Sequence, residues 1–90
     1  MTTLSKRVAI TNKRGLHARS SAKFVALAST LTTPVTVEKD GHAVVGTSIM
    51  GLMMLGAAMG DHVTISADGD GAAEAVNALV DLIESKFGEE

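Results

Sequence analysis

The sequence predicts an α+β sandwich in the order β-α-β-β-α-β-α, its helices covering one sheet face while the other meets water. Short segments alternate apolar and polar residues, as half-buried strands do. Longer segments carry apolar stripes at helical spacing. An Asp-Gly pair between two of the short segments marks a tight hairpin. The 90 residues allow one domain, spanning 1–90, since typical domains hold roughly 100–150.

The first strand is expected where Val8 and Ile10 alternate with Arg7, Ala9 and Thr11. Asn12-Lys-Arg-Gly15 reads as a polar loop. From Ala18 to Thr30, Ser21, Phe24, Val25 and Ala28 form one helical stripe that continues to Leu31, with Arg19 and Lys23 on a different face. Thr32-Thr33-Pro34 ends that helix. Val35 and Val37 begin a strand that turns at Asp40-Gly41 and returns over His42–Val45. Ser48 suits the cap of a short helix, Ile49–Leu55, with Gly56 past its end. His62–Ala67 is the next strand, with Val63 and Ile65 inward. Asp68-Gly-Asp-Gly71 is a loop ending in a cap for the last helix. That helix is expected to bury Ala72, Val76, Leu79, Val80, Ile83 and Phe87.

Composition narrows the function. The chain is 46% hydrophobic and 20% charged, the balance of a folded globule rather than a disordered chain. It lacks Cys, Trp and Tyr and has two Phe. Disulfide frameworks, thiolate metal sites and redox cysteines are thereby excluded, and a reducing cytoplasm is the expected setting. So few aromatics argue against a stacking platform for single-stranded nucleic acid. No signal peptide is expected, since the N-terminus lacks an apolar run. Residues 43–60 are uncharged and reach the ~18-residue length of a membrane span. Gly46, Gly51, Gly56, Gly60 and Thr47-Ser48 interrupt them, and the strands need them as core, so no span is expected.

Charge is unevenly placed. Residues 1–37 hold six basic side chains and no acid, whereas residues 38–90 hold all ten acids and only Lys39 and Lys86. This asymmetry suggests an anion-attracting end.

The stretch Asn12-Lys-Arg-Gly-Leu-His-Ala-Arg-Ser20 falls in that end. Gly15 permits a sharp turn, which sets His17 at the boundary of loop and helix. There the N–H groups of Ala18 and Arg19 lack intrahelical partners. A helix N-terminus attracts anions and disfavours an imidazolium, and Arg14 and Arg19 act in the same sense. An unprotonated ring nitrogen beside an anion site suits transient phosphoryl transfer. The histidine would attack phosphorus while the N–H groups and Arg19 hold the oxygens. Spacing alone favours a plain capping role for His17, and no base-orienting carboxylate lies in this half of the chain, so no hydrolase is indicated.

Leu52 and Leu55 are expected to point inward from the short helix, leaving Met50, Met53 and Ile49 exposed as an adaptable docking patch. His42 and His62 are expected at the surface without function. Asp68-Gly-Asp-Gly71 lacks the further ligands of a calcium loop. No metal site and no cofactor are expected.

Gly15-Leu-His-Ala-Arg19, together with Ser48-Ile-Met-Gly-Leu-Met-Met-Leu-Gly56, resembles the histidine-containing phosphocarrier (HPr) family of the bacterial phosphoenolpyruvate-dependent phosphotransferase system. The resemblance covers essentially the whole chain. It implies an open-faced β-sandwich, four antiparallel strands under three helices. It implies that His17 takes a phosphoryl group on Nδ1 from enzyme I and donates it to an enzyme IIA. Arg19 matches the phosphoryl-binding arginine, with Ala18 and Arg19 lending backbone N–H groups. Ser48 matches the serine that a regulatory HPr kinase/phosphorylase modifies in many members. Ile49, Met50 and Met53 match the docking patch, to which Lys23 is added from the basic face. Such a protein is a carrier rather than an enzyme with turnover, expected to act as a monomer. The family usually has Pro where this chain has Ser20, so a looser helix start or an added phosphoryl donor is expected there. Two other classes fit the same residues: a regulatory module of the nitrogen-related phosphotransfer type, and a small metal-binding α+β protein.

Overall fold

The computed structural model describes residues 3–89. The elements run β1 (Thr3–Ala9), α1 (Ala18–Thr30), β2 (Val35–Lys39), β3 (His42–Val45), α2 (Ile49–Met54), β4 (His62–Asp68) and α3 (Ala72–Glu84), with a 3-10 turn over Lys86–Gly88. The strands form a four-stranded antiparallel sheet ordered β1-β4-β2-β3. Because β1 and β2 both run antiparallel to β4, they run parallel to each other with β4 between them.

Alternation decides which side chains face the helices. Val8 lies opposite Val63, Val37 opposite Ile65 and Val44 opposite Val37. Val8, Val35, Val37, Val63, Ile65 and Ala67 are buried on the covered face, while Arg7, Thr36 and Glu38 are exposed. Phe24 and Ala28 of α1 and Val76, Leu79 and Ile83 of α3 close the core over them. Asp40 and Gly41 take φ of 52° and 83°, as a two-residue hairpin of this hand requires. The Ser48 hydroxyl accepts the Gly51 N–H at 3.0 Å and caps α2.

Two local expectations need correction. The first strand starts at Thr3 rather than near Arg7, because Thr3–Ala9 pairs residue by residue with Asp68–His62. That partner lies far away in sequence. Ile10 falls past the strand but keeps bonds with Asp61 and Gly60, each 2.8 Å. Phe87 is buried, yet it lies beyond α3, in the turn, with a left-handed φ of 56°. The cap of α3 is Gly71 itself, with no side-chain hydrogen bond. Its φ is 81°, and a Cβ there would lie 2.6 Å from Thr33 Oγ1.

No helix among the described residues is long and apolar enough to cross a membrane. Residues 43–60 instead supply β3, α2 and the fully buried Leu52. The two faces of α2 differ sharply: Leu52 is 0% exposed, Met50 71% and Met54 80%. Met54 therefore joins Ile49, Met50 and Met53 on the outward face. Leu52→Ala is expected to lower stability by about 2–5 kcal/mol, and Met50→Ala to change it by about 0.5 kcal/mol or less. Urea denaturation of both variants checks this, and equal losses would mean that α2 has no free side.

Candidate functional site

The site is built around the entry to α1. Gly15 has φ +65°, and a Cβ there would sit 2.3 Å from the Ala57 carbonyl oxygen. Only glycine allows this close approach, which the Leu16 N–H secures by donating to Ala57 O at 2.9 Å. The loop is thus locked against the segment that follows α2. Inside it, the Gly15 carbonyl accepts from Asn12 Nδ2 at 2.8 Å, from Ser20 Oγ at 2.8 Å and from the His17 N–H at 3.0 Å.

His17 is the N-cap of α1, with extended backbone. Its Nδ1 accepts the Arg19 backbone N–H at 3.2 Å. Its Nε2 lies 2.6 Å from Glu89 Oε2. Nδ1 accepts, so it carries no proton, and Nε2 donates to the carboxylate. The hydrogen bonds therefore assign a tautomer with an unprotonated Nδ1, whose lone pair accepts from Arg19. The ring points that lone pair into the positive end of α1, where the Ala18 N–H also lacks an intrahelical acceptor. The side chain of His17 keeps 20% of its surface exposed, enough to be reached from outside.

Ser20 corrects an expectation. Its hydroxyl is wholly buried, accepts the His17 N–H at 3.0 Å and donates to Gly15 O. It neither loosens the helix start nor faces a ligand. It replaces with hydrogen bonds the stiffness that a proline ring gives to a first turn.

Lys13, Arg14, His17, Arg19, Lys23, Gly88 and Glu89 line one pocket of about 350 Å3. The basic half of the sequence does converge on His17. Lys23, expected to dock partners, directs its ammonium to the Phe87 carbonyl at 2.8 Å. Ser48 is half-buried in its capping role, and Ile49, Met50 and Met53 are exposed together on α2. His42 and His62 are exposed on separate strands, and no group of three metal-ligating side chains occurs among the described residues.

Glu89 is the residue that sequence reasoning missed. The carboxylate absent from the first half of the chain arrives from the C-terminal segment. Burial of Glu89 works to raise its pKa, but hydrogen bonds from His17 and Asn12 and the positive charge of Lys23 outweigh it, and the net shift is downward. One signal was available: Phe87-Gly88-Glu89 sets a large apolar residue and a flexible one directly before an acid, as a packed terminal segment would need.

Among known proteins, a family model described as the phosphorylation site of the phosphotransferase-system HPr component matches residues 4–85. The phosphocarrier protein HPr of Neisseria meningitidis serogroup A is 50% identical over 86 residues, 96% of this chain and 97% of that protein. The phosphocarrier protein NPr of Shewanella violacea is 37% identical over 89 residues, covering 99% of this chain and 98% of that one. The crystal structure of HPr-C-His from Thermoanaerobacter tengcongensis superposes with a TM-score of 0.88 at 52% identity, covering 100% of this chain and 99% of that one.

Two outcomes follow from the geometry. Ser20→Ala is expected to cost about 1–2 kcal/mol, as the hydrogen bonds made by a buried hydroxyl are lost; urea midpoints measure it. The folded pKa of Glu89 lies below its unfolded one, so its stabilising contribution is full above the ordinary carboxylate range. That contribution is lost as pH falls through the depressed folded value. Glu89→Gln should therefore flatten the acid limb of a plot of urea midpoint against pH.

Proposed function

The chain belongs to the HPr phosphocarrier family of the phosphotransferase system, and from that premise we propose that His17 accepts a phosphoryl group from enzyme I and hands it to an enzyme IIA domain. The observation that carries the reading is the Arg19 N–H held at 3.2 Å from Nδ1: it marks that nitrogen as unprotonated, and the lone pair that accepts it is the one that turns to phosphorus. Attack forms a P–N bond while the bond from phosphorus to the donor breaks and its electron pair returns to the donor. The incoming group takes over the N–H donors of Ala18 and Arg19 at the helix mouth. Arg19, exposed at the pocket rim, closes on the phosphoryl oxygens in the manner of a guanidinium clamp. The return step reverses these movements, so the protein is a carrier and not a catalyst with turnover of its own. It works in the cytoplasm, a setting that suits a chain without cysteine.

Ile49, Met50, Met53 and Met54 form the face that meets both partners in turn. Methionines repack easily, which lets one patch serve different surfaces. Ser48 caps the same short helix, so a phosphate placed there by an HPr kinase/phosphorylase adds negative charge beside the patch and weakens docking.

A second reading has a specific observation in its favour. The likeness to an NPr protein extends over nearly the full chain, so a regulatory phosphotransfer branch would use the same residues. Loss of His17 then alters gene expression and leaves sugar uptake normal, whereas a transport role predicts loss of uptake.

Incubation with enzyme I and phosphoenolpyruvate, read by intact mass and phosphorus NMR, is expected to give an acid-labile, base-stable adduct on His17. His17→Ala should give none. Arg19→Ala should slow acceptance by roughly 10²-fold, the effect of removing one donor from a charge-stabilising site, without unfolding the chain. Transfer at the parent rate would remove Arg19 from the assignment. Met50→Asp should weaken partner association in a folded protein.

A further inference from the structure

We propose that Glu89 is a positioning residue for His17: its carboxylate keeps the ring proton on Nε2, aims Nδ1 at the mouth of α1, and balances the charge that the ring gains on phosphorylation. This inference rests on the phosphocarrier reading and adds to it a group from the far end of the chain.

The contact is a built one. An exposed ion pair between two mobile side chains contributes little and is readily replaced by water. Here both carboxylate oxygens are engaged, Oε2 with His17 Nε2 at 2.6 Å and Oε1 with Asn12 Nδ2 at 3.1 Å. Asn12 is fully buried and also donates to Gly15 O. One amide thus joins the carboxylate to the loop that presents the histidine. The segment carrying Glu89 is held as well: Phe87 is 1% exposed, and its carbonyl accepts from Lys23.

The backbone supports the same conclusion. Lys86, Phe87 and Gly88 take φ of 59°, 56° and 72°. Left-handed conformations at two consecutive non-glycine residues are unfavourable, and they persist where the surroundings impose them. The turn they make stops α3 short and delivers Glu89 to the histidine. Glu89 is also the one acid among the residues lining a pocket otherwise walled by Lys13, Arg14, Arg19 and Lys23. The His17 and Asn12 hydrogen bonds and the nearby Lys23 ammonium hold its carboxyl below the usual carboxylate range.

The chemistry closes without a proton acceptor. The Nδ1 lone pair forms the P–N bond, and the donor's bond to phosphorus breaks with its electron pair. The Nε2 proton stays where it is, so the phosphorylated ring is an imidazolium. The adjacent carboxylate offsets that positive charge without taking the proton. When the group leaves, the electron pair returns to Nδ1 and the tautomer is unchanged, ready for another cycle. This division of roles, a nucleophilic nitrogen on one side and an orienting carboxylate on the other, recurs wherever a histidine must hold one tautomer.

The test combines nitrogen NMR with transfer kinetics on the parent, Glu89→Gln and Glu89→Asp, each labelled with 15N-histidine. The parent is expected to show His17 with a protonated Nε2 and a bare Nδ1. Glu89→Gln should shift the ring nitrogens toward a mixture of tautomers and slow phosphoryl acceptance roughly 10-fold. Glu89→Asp keeps the charge and should recover much of both. Thermal melts confirm that the variants are folded. Ring shifts and rates in Glu89→Gln that match the parent would overturn the proposal. A faster rate would overturn it too, because the carboxylate would then be a cover over the ring. A parent that takes no phosphoryl group on His17 would instead defeat the phosphocarrier reading, while the nitrogen shifts still decide whether Glu89 sets the tautomer.

Discussion

The backbone N–H of Arg19 reaches back to the ring of His17, and the rest of the molecule is arranged so that it can. A helix must begin at residue 18 for that N–H to be free of an intrahelical partner. The loop before it must turn tightly enough to set the ring over the helix axis, which places Gly15 against the Ala57 carbonyl. The sheet and α3 supply the floor under α1, through Phe24 and Ala28. A buried hydroxyl at Ser20 then pins the first turn to the loop. Each is an ordinary packing or capping contact, and together they leave one unprotonated nitrogen on a partly exposed ring.

What the sequence made legible was local. The Asp40-Gly41 hairpin, the span of α1, the Ser48 cap and the inward Leu52 were readable because each depends on neighbours within a few residues. The local stretch around His17 suited phosphoryl transfer but its spacing alone favoured a cap, and the phosphocarrier reading needed two motifs some thirty residues apart taken together. What stayed hidden was non-local. The start of β1 is set by its pairing with β4, and no periodicity within residues 3–6 announces it. Ser20 looked like a loosened proline position because its partners, Gly15 O, His17 O and the His17 N–H, are visible only in the folded loop. Glu89 stands 72 residues from His17 along the chain. Its segment breaks helical periodicity through left-handed residues that sequence propensity disfavours.

The uneven charge of the chain also takes on a definite shape. Four of the six early cations, Lys13, Arg14, Arg19 and Lys23, gather at the pocket, while Lys6 and Arg7 lie exposed on β1. A positive rim of this kind speeds encounter with acidic surfaces and loses its effect as salt rises. In the proposed reading the apolar face of α2 meets such surfaces without charge of its own: Ile49, Met50, Met53 and Met54 carry none. Attraction and grip are thus assigned to different elements, the first to the helix mouth and the second to the short helix packed beside it.

The position of β4 at the centre of the sheet has a consequence for synthesis on the ribosome. β1 finds its hydrogen-bonding neighbour only in β4, while β2 can fold back onto β3 at once. A nascent chain can therefore make its hairpin early, but its first strand waits, edge unpaired, until residues 62–68 are available to pair with it. The interval is a window in which the polypeptide is open to wrong pairing, and closing that window falls to the segment that carries β4.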